Sequence, residues 1–172
     1  MQVVTDSLLE DHLKCKSKSY LRLHGQSGPA APYSALCSRL DARHRAGAAQ
    51  WLADESTIGG VSRFDGLRLQ DGVTGDAIIL DAVGAANGLQ THFHALQRMP
   101  GASHLGPYHY RPIRFCRHLQ PNSAVRLLLA FDAFILGYLQ GVCPNDGILI
   151  CGPAFKRTRI RLRTYLKSLD IA

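Results

Sequence analysis

His92 and His94 lie two residues apart, so on a strand they share a face, and Cys116 and His118 repeat that spacing downstream. Imidazole and thiolate groups in such pairs suit Zn²⁺; the alternative is histidines without a ligand role. Upstream, Asp76 and Asp81 offer hard oxygen ligands of the kind Mg²⁺ takes. They stand five apart, on opposite faces of a regular strand. A metal-assisted hydrolytic site built from Asp76, Asp81, His92 and His94 is therefore one chemistry open to this chain. A second lies near the C-terminus, where Arg157, Arg159, Arg161 and Arg163 alternate with Thr158, Ile160 and Leu162. Such a stripe can track a nucleic-acid backbone, one guanidinium per phosphate, or can simply keep an edge strand solvated. Arg111, Arg114 and Arg117 straddle both faces of their strand and cannot form a stripe.

Charge favours the second chemistry. The 172-residue chain carries a net charge of +7. Residues 1–110 hold 10 Lys/Arg against 10 Asp/Glu, whereas residues 111–172 hold 10 against 3. The excess sits wholly in the C-terminal part, which points to a polyanionic partner, nucleic acid first. The alternative is a protein partner, with the charge acting only as a solubilising surface. Five cysteines without a CxxC pair give no zinc ribbon and read as free, mostly buried thiols of a cytoplasmic protein. Met1 leads into "QVVTDSLLED" with neither a basic start nor an apolar run, so no secretory leader is expected. The longest apolar run, "VRLLLAFDAFILGYL", is interrupted by Asp132, and no membrane association is expected.

The elements that must position these groups follow from periodicity. A first helix is expected to open at Ser7, with Glu10 completing a capping box, and to stop at Gly25. A second runs from Tyr33 to Ala53. Extended segments follow at Asp76–Val83, Leu89–Arg98 and Tyr108–Cys116, the first two joined through "GAANG" as a hairpin. Pro112 suggests an edge strand or a bulge. A largely buried helix spans Ser123–Gln140, capped by Ser123 and ended by Gly141. Two more strands come from "GILICG" and "KRTRIRLRTYL". The sum is one α/β domain over residues 1–172, with a mixed central sheet flanked by helices.

The segments "TDSLLEDHLKCKSKSYL", "ALQRMPGASHLGPYHYRPIRF", "LLLAFDAFILGYLQG" and "GILICG", in this order and spacing, resemble the RecB-like nuclease family of the PD-(D/E)XK superfamily. The resemblance implies a PD-(D/E)XK restriction-endonuclease-like core and DNA processing with Mg²⁺. In that superfamily one strand supplies an Asp and the next supplies Asp/Glu-x-Lys. Carried over by position, the Asp falls on His94 and the Asp/Glu-x-Lys on Arg114 and Cys116. A Gln and a Tyr of the following helix fall on Leu128 and Asp132. Every catalytic position is altered. Arginine cannot ligate Mg²⁺ and repels it, and the stretch from Leu89 to Leu119 contains no acid at all. The expectation is a retained scaffold with metal-dependent hydrolysis lost; an active nuclease with a relocated site is the alternative. Family members also use cysteines for an iron–sulfur cluster. Here Cys15 sits in the matching helix, Cys143 and Cys151 have the wrong spacing, and no cluster is expected. The chain reads as one RecB-like domain, with a missing C-terminal extension as the alternative.

Overall fold

The structure, a computed structural model, describes residues 3–26, 28–29, 31–56, 59–66, 68–69 and 75–169. In chain order the elements are β1 (Val4–Thr5), α1 (Asp6–Lys14), α2 (Lys16–Leu23), α3 (Pro32–Glu55), β2 (Val61–Arg63), β3 (Ile78–Ala86), β4 (Leu89–Ser103), β5 (Gly106–Cys116), α4 (Ser123–Gln140), β6 (Asp146–Cys151), β7 (Lys156–Arg161) and α5 (Arg163–Leu169). The strands make one mixed seven-stranded sheet in the order β2-β3-β4-β5-β6-β7, with β1 pairing β4 off that path. This is the α/β architecture that the periodicity predicts.

Local chemistry explains the connections. β3 and β4 form an antiparallel hairpin across Asn87 (φ 50°) and Gly88 (φ 75°), the paired positive dihedrals of a two-residue turn. β4 runs on to Ser103, past the expected end at Arg98. β5 pairs β6 in parallel, which needs a crossover, and α4 provides it. Asn122, not Ser123, caps α4 by accepting the Val125 N–H, and Gly141 ends it in the left-handed region. Thr5, not Ser7, caps α1. The expected first helix breaks at Cys15, whose extended backbone (φ −160°, ψ 111°) separates α1 from α2. The expected C-terminal strand stops at Arg161, and Arg163 opens α5.

Pro112 lies on β5, between β4 and β6, not at an edge. Gln140 makes this possible. Its side chain accepts the Tyr110 N–H at 2.8 Å and donates to the Tyr110 carbonyl at 2.9 Å. It thereby stands in for β6, whose pairing with β5 starts only at Ile113–Ile148. Amide groups two apart on a strand point the same way, so Pro112, with no N–H to give, fills the step between this clamp and the β6 ladder.

Helices cover both faces. Ala48, Ala49 and Leu52 of α3 pack on Ile78, Leu80, Ala95, Ile113, Ile148 and Ile150. Phe131, Ile135 and Leu136 of α4 pack on Ile79, Phe93, Leu96 and Tyr110. By length and composition α4 could cross a bilayer, but half of it is buried within the fold. Within the core, side-chain alternation slips at the same level in two neighbouring strands. Leu80 faces α3 while Ala82 faces α4, and Ala95 faces α3 while Phe93 faces α4. Asp81, between them on β3, has a left-handed backbone (φ 53°), which turns the strand over. This slip decides which face the candidate site residues occupy.

Candidate functional site

Three polar constellations stand on this scaffold, and arginine lies at the centre of each. The first is buried on the α4 face. Arg114 grips Asp132 with two parallel bonds, Nε to Oδ2 at 2.8 Å and Nη2 to Oδ1 at 2.9 Å. Its Nη2 also reaches Asp6 Oδ2 at 3.2 Å, and Thr91 Oγ1 donates to Asp132 Oδ1 at 2.6 Å. The Arg114 and Asp132 side chains are 7% and 1% exposed, so these are charges removed from water with their hydrogen bonds satisfied. Burial works to lower the Arg114 pKa, but Asp132 and Asp6 outweigh it and hold the guanidinium protonated. Burial pushes the Asp132 carboxyl up, with Arg114 and Thr91 acting against that.

Cys116 lies two residues on, in the apolar cluster formed by Leu129, Ala133, Leu149 and Ile160. Its Sγ donates to the His118 carbonyl, at 3.7 Å. Cys116 pairs in register with Cys151, whose thiol is pushed up to about 11 by burial and then by Cys116. Both thiols are buried and belong to the core. His94 does not join Arg114 and Cys116. With regular alternation it would share their face, but the slip turns it into the gap where the β4–β5 ladder ends. There Nδ1 accepts the Phe115 N–H at 3.0 Å, against the Phe115 ring on the α3 side. That bond leaves the proton on Nε2. Burial first, then Arg114 and Arg45, hold His94 well below the ordinary histidine pKa.

The second constellation lies on the α3 face. Arg45 Nη2 is 2.6 Å from His92 Nδ1 and 3.4 Å from Asp81 Oδ1, and Arg63 reaches Asp81 Oδ2 at 3.4 Å. His92 accepts from Arg45 through Nδ1 and is neutral; burial and then Arg45 lower its pKa. So Asp81 and His92 do come together, but around a guanidinium. Asp76 is elsewhere: it precedes β3, and its carbonyl accepts the Tyr110 hydroxyl at 3.0 Å. The expected metal set of Asp76, Asp81, His92 and His94 is corrected accordingly. Among the described residues no group of three or more His, Cys, Asp or Glu side chains could hold a metal ion. The donor sets do not fit the implied Mg²⁺ either, because a protonated guanidinium, a thiol and neutral imidazoles replace its hard oxygen ligands.

The third constellation is the basic edge. Arg157, Arg159 and Arg161 project from the α3 side of the edge strand β7, and all three are exposed. Arg157 pairs Glu55 at 2.8 Å and lies 4.8 Å over the Trp51 ring. Arg159 donates from Nε to Asp146 at 2.9 Å. Arg163 belongs to α5 and leaves the stripe with three members on the strand. Arg111 points to the α3 face and Arg114 to the α4 face, so those arginines straddle the strand as expected. The residues that sequence reasoning missed are Asp6, Arg45, Thr91 and the partnership of Asp132. A legible signal existed for the last: an acid inside "LLLAFDAFILGYL" must be buried, and a buried carboxylate needs a cation or several donors.

No protein-family model matches the sequence, and no curated protein matches it either. A solved structure described as "Crystal structure of SSO0001" superposes with a TM-score of 0.43 at 12% identity, covering 98% of this chain and 74% of that one. A similarity of that size carries no argument about fold family or function.

Proposed function

We propose that this chain is a RecB-like nuclease homologue with a PD-(D/E)XK-type core, in which metal-dependent cleavage is lost and nucleic-acid binding, to DNA first, is retained through the basic C-terminal part. One observation carries the reading. The position that the resemblance assigns to a metal-binding carboxylate is Arg114, and the position it assigns to a helix tyrosine is Asp132. These two residues are bonded to each other in the interior. A permanent cation occupies the place where a divalent ion would need oxygen ligands, and its counter-charge comes from within the fold. Loss of the site thus has a compensated, stable form and not that of simple decay. Retained binding is supported by Arg157, Arg159 and Arg161 on the edge strand.

The alternative is a partner-binding subunit. It draws on the first half of α3, where Tyr33, Leu36 and Leu40 are 76%, 44% and 39% exposed along one helical side. An active hydrolase with a site relocated to Asp76, Asp81, His92 and His94 is disfavoured by Arg45 between Asp81 and His92. The test is a salt-series binding and cleavage assay on labelled single- and double-stranded DNA, with Mg²⁺, Mn²⁺ and EDTA arms. Binding that weakens steeply with salt, without cleavage in any arm, is the expected outcome. Cleavage abolished by EDTA would overturn the loss of catalysis, and no binding at low salt would favour the partner-binding reading.

A further inference from the structure

Beyond the C-terminal end of α3, the α3 side of the sheet is polar. Gln97 pairs with Arg111 across β4 and β5, and Asp146 pairs with Arg161 across β6 and β7. Arg111 joins the two pairs: it donates from Nη1 to Asp146 Oδ1 at 2.9 Å and from Nε to Gln97 Oε1 at 3.1 Å. In the next row Met99 pairs with His109. With Arg111, Pro144, Asn145 and Asp146 they line a cleft of about 90 Å³. His109 Nδ1 is shielded from solvent and has no hydrogen-bond partner there. Asp146 is the carboxylate of this strip, held from opposite sides by Arg111 and Arg159. Burial works to raise its pKa, but the bonds from Arg159 and Arg111 outweigh that and hold it below the ordinary carboxylate value.

We propose that this strip seats the sugar–phosphate backbone of one extended nucleic-acid strand, with Asp146 filling a phosphate's place between Arg111 and Arg159 in the free protein. The inference rests on the nucleic-acid-binding reading above and adds the face, the residues and the form of the ligand. Charge selects the ligand: Arg111, Arg159 and Arg161 against Asp146 leave an excess of positive charge. Spacing fits a nucleic-acid backbone: alternate residues on β7 recur every ~6.7 Å, close to the separation of successive phosphates along one strand. Shape selects the single strand, because a shallow sheet face offers no helix or ribbon to enter a duplex groove. The His109 cleft places a potential donor beside that path.

The experiment is anisotropy titration of labelled oligo-dT, oligo-U and a blunt DNA duplex over a salt series. It compares the full chain with Asp146→Asn and Arg161→Ala, each checked for an unchanged circular dichroism spectrum. Asp146→Asn is expected to bind single strands roughly fivefold tighter, the scale of one charge-assisted contact regained. Arg161→Ala is expected to lower the magnitude of the salt slope by about 0.7, one phosphate on a single strand. A gain of affinity is not what a damaged fold produces, so the first variant separates a binding role from a structural one. Single-strand binding that neither variant alters, or a preference for the duplex, would overturn this surface while leaving the nucleic-acid reading in place. No binding to any of the three probes at low salt would remove both.

Discussion

At the scale of single residues, Arg114 and Asp132 matter as a pair and not as two charges. Arg114→Met would strip the buried Asp132 of its cation and leave only Thr91 to bond it, and a broken buried pair costs about 3–5 kcal/mol. The double variant Arg114→Met with Asp132→Leu removes both charges and is expected to recover most of that loss. Urea unfolding of the single and double variants gives the coupling directly. A double variant no more stable than the single one would show that the pair is not the source of the effect. His92 and His94 give a second residue-scale prediction. Both have folded pKa values below the ordinary 6.5, so below that pH the unfolded chain binds more protons than the folded one. Stability is therefore fully present above about pH 6.5 and falls as pH drops toward the depressed folded values, by at most about 1.4 kcal/mol per pH unit for each histidine. His94→Gln should flatten this acid limb in unfolding curves measured between pH 7 and 5, and an unaltered limb would show that His94 does not contribute to it.

At the scale of elements, the sheet depends on side chains that replace missing ladder bonds. Gln140, at the end of α4, completes β5 where β6 has not yet begun, and it is fully buried. Gln140→Leu leaves the Tyr110 N–H and carbonyl unpaired there, and each such group costs about 1–3 kcal/mol. A loss of at least about 2 kcal/mol is expected, read as a lower urea midpoint; a variant as stable as the parent would mean that water or a shifted β6 takes over the clamp. His94 plays the corresponding part at the other end of the β4–β5 ladder, where its Nδ1 accepts the Phe115 N–H. Here lies the limit of what element patterns reveal. The hairpin at Asn87–Gly88, the crossover helix and the alternation of β7 were legible because turn chemistry and periodicity are local. The slip at Asp81 was not, because an aspartate adopts a left-handed backbone rarely enough that no pattern announces it. That one residue moved His94 away from Arg114 and brought it to the α3 side.

At the scale of the whole molecule, charge and topology act together. The positive excess of residues 111–172 is spread over both faces of the sheet, and much of it is used internally. Arg114 serves Asp132 and Asp6, Arg117 serves Asp41, and Arg111 serves Asp146. Arg157 and Arg159 of the β7 edge also have partners, Glu55 and Asp146, but stay exposed alongside Arg161. Replacing Arg157, Arg159 and Arg161 together with alanine is expected to reduce the salt slope of DNA binding by about two to three. Binding isotherms at several salt concentrations measure it, and an unchanged slope would remove the edge stripe from the account. By itself the sequence determined the class of fold, the order and type of most elements, and the sign and location of the net charge. These are properties of composition and short-range periodicity, written along the chain. Only the tertiary structure decided which groups meet. It paired Arg114 with an aspartate eighteen positions away, put Arg45 between Asp81 and His92, and turned His94 to the other face. Such contacts depend on sheet register, on one slip in alternation and on the packing of α3 and α4, and none of these is encoded locally.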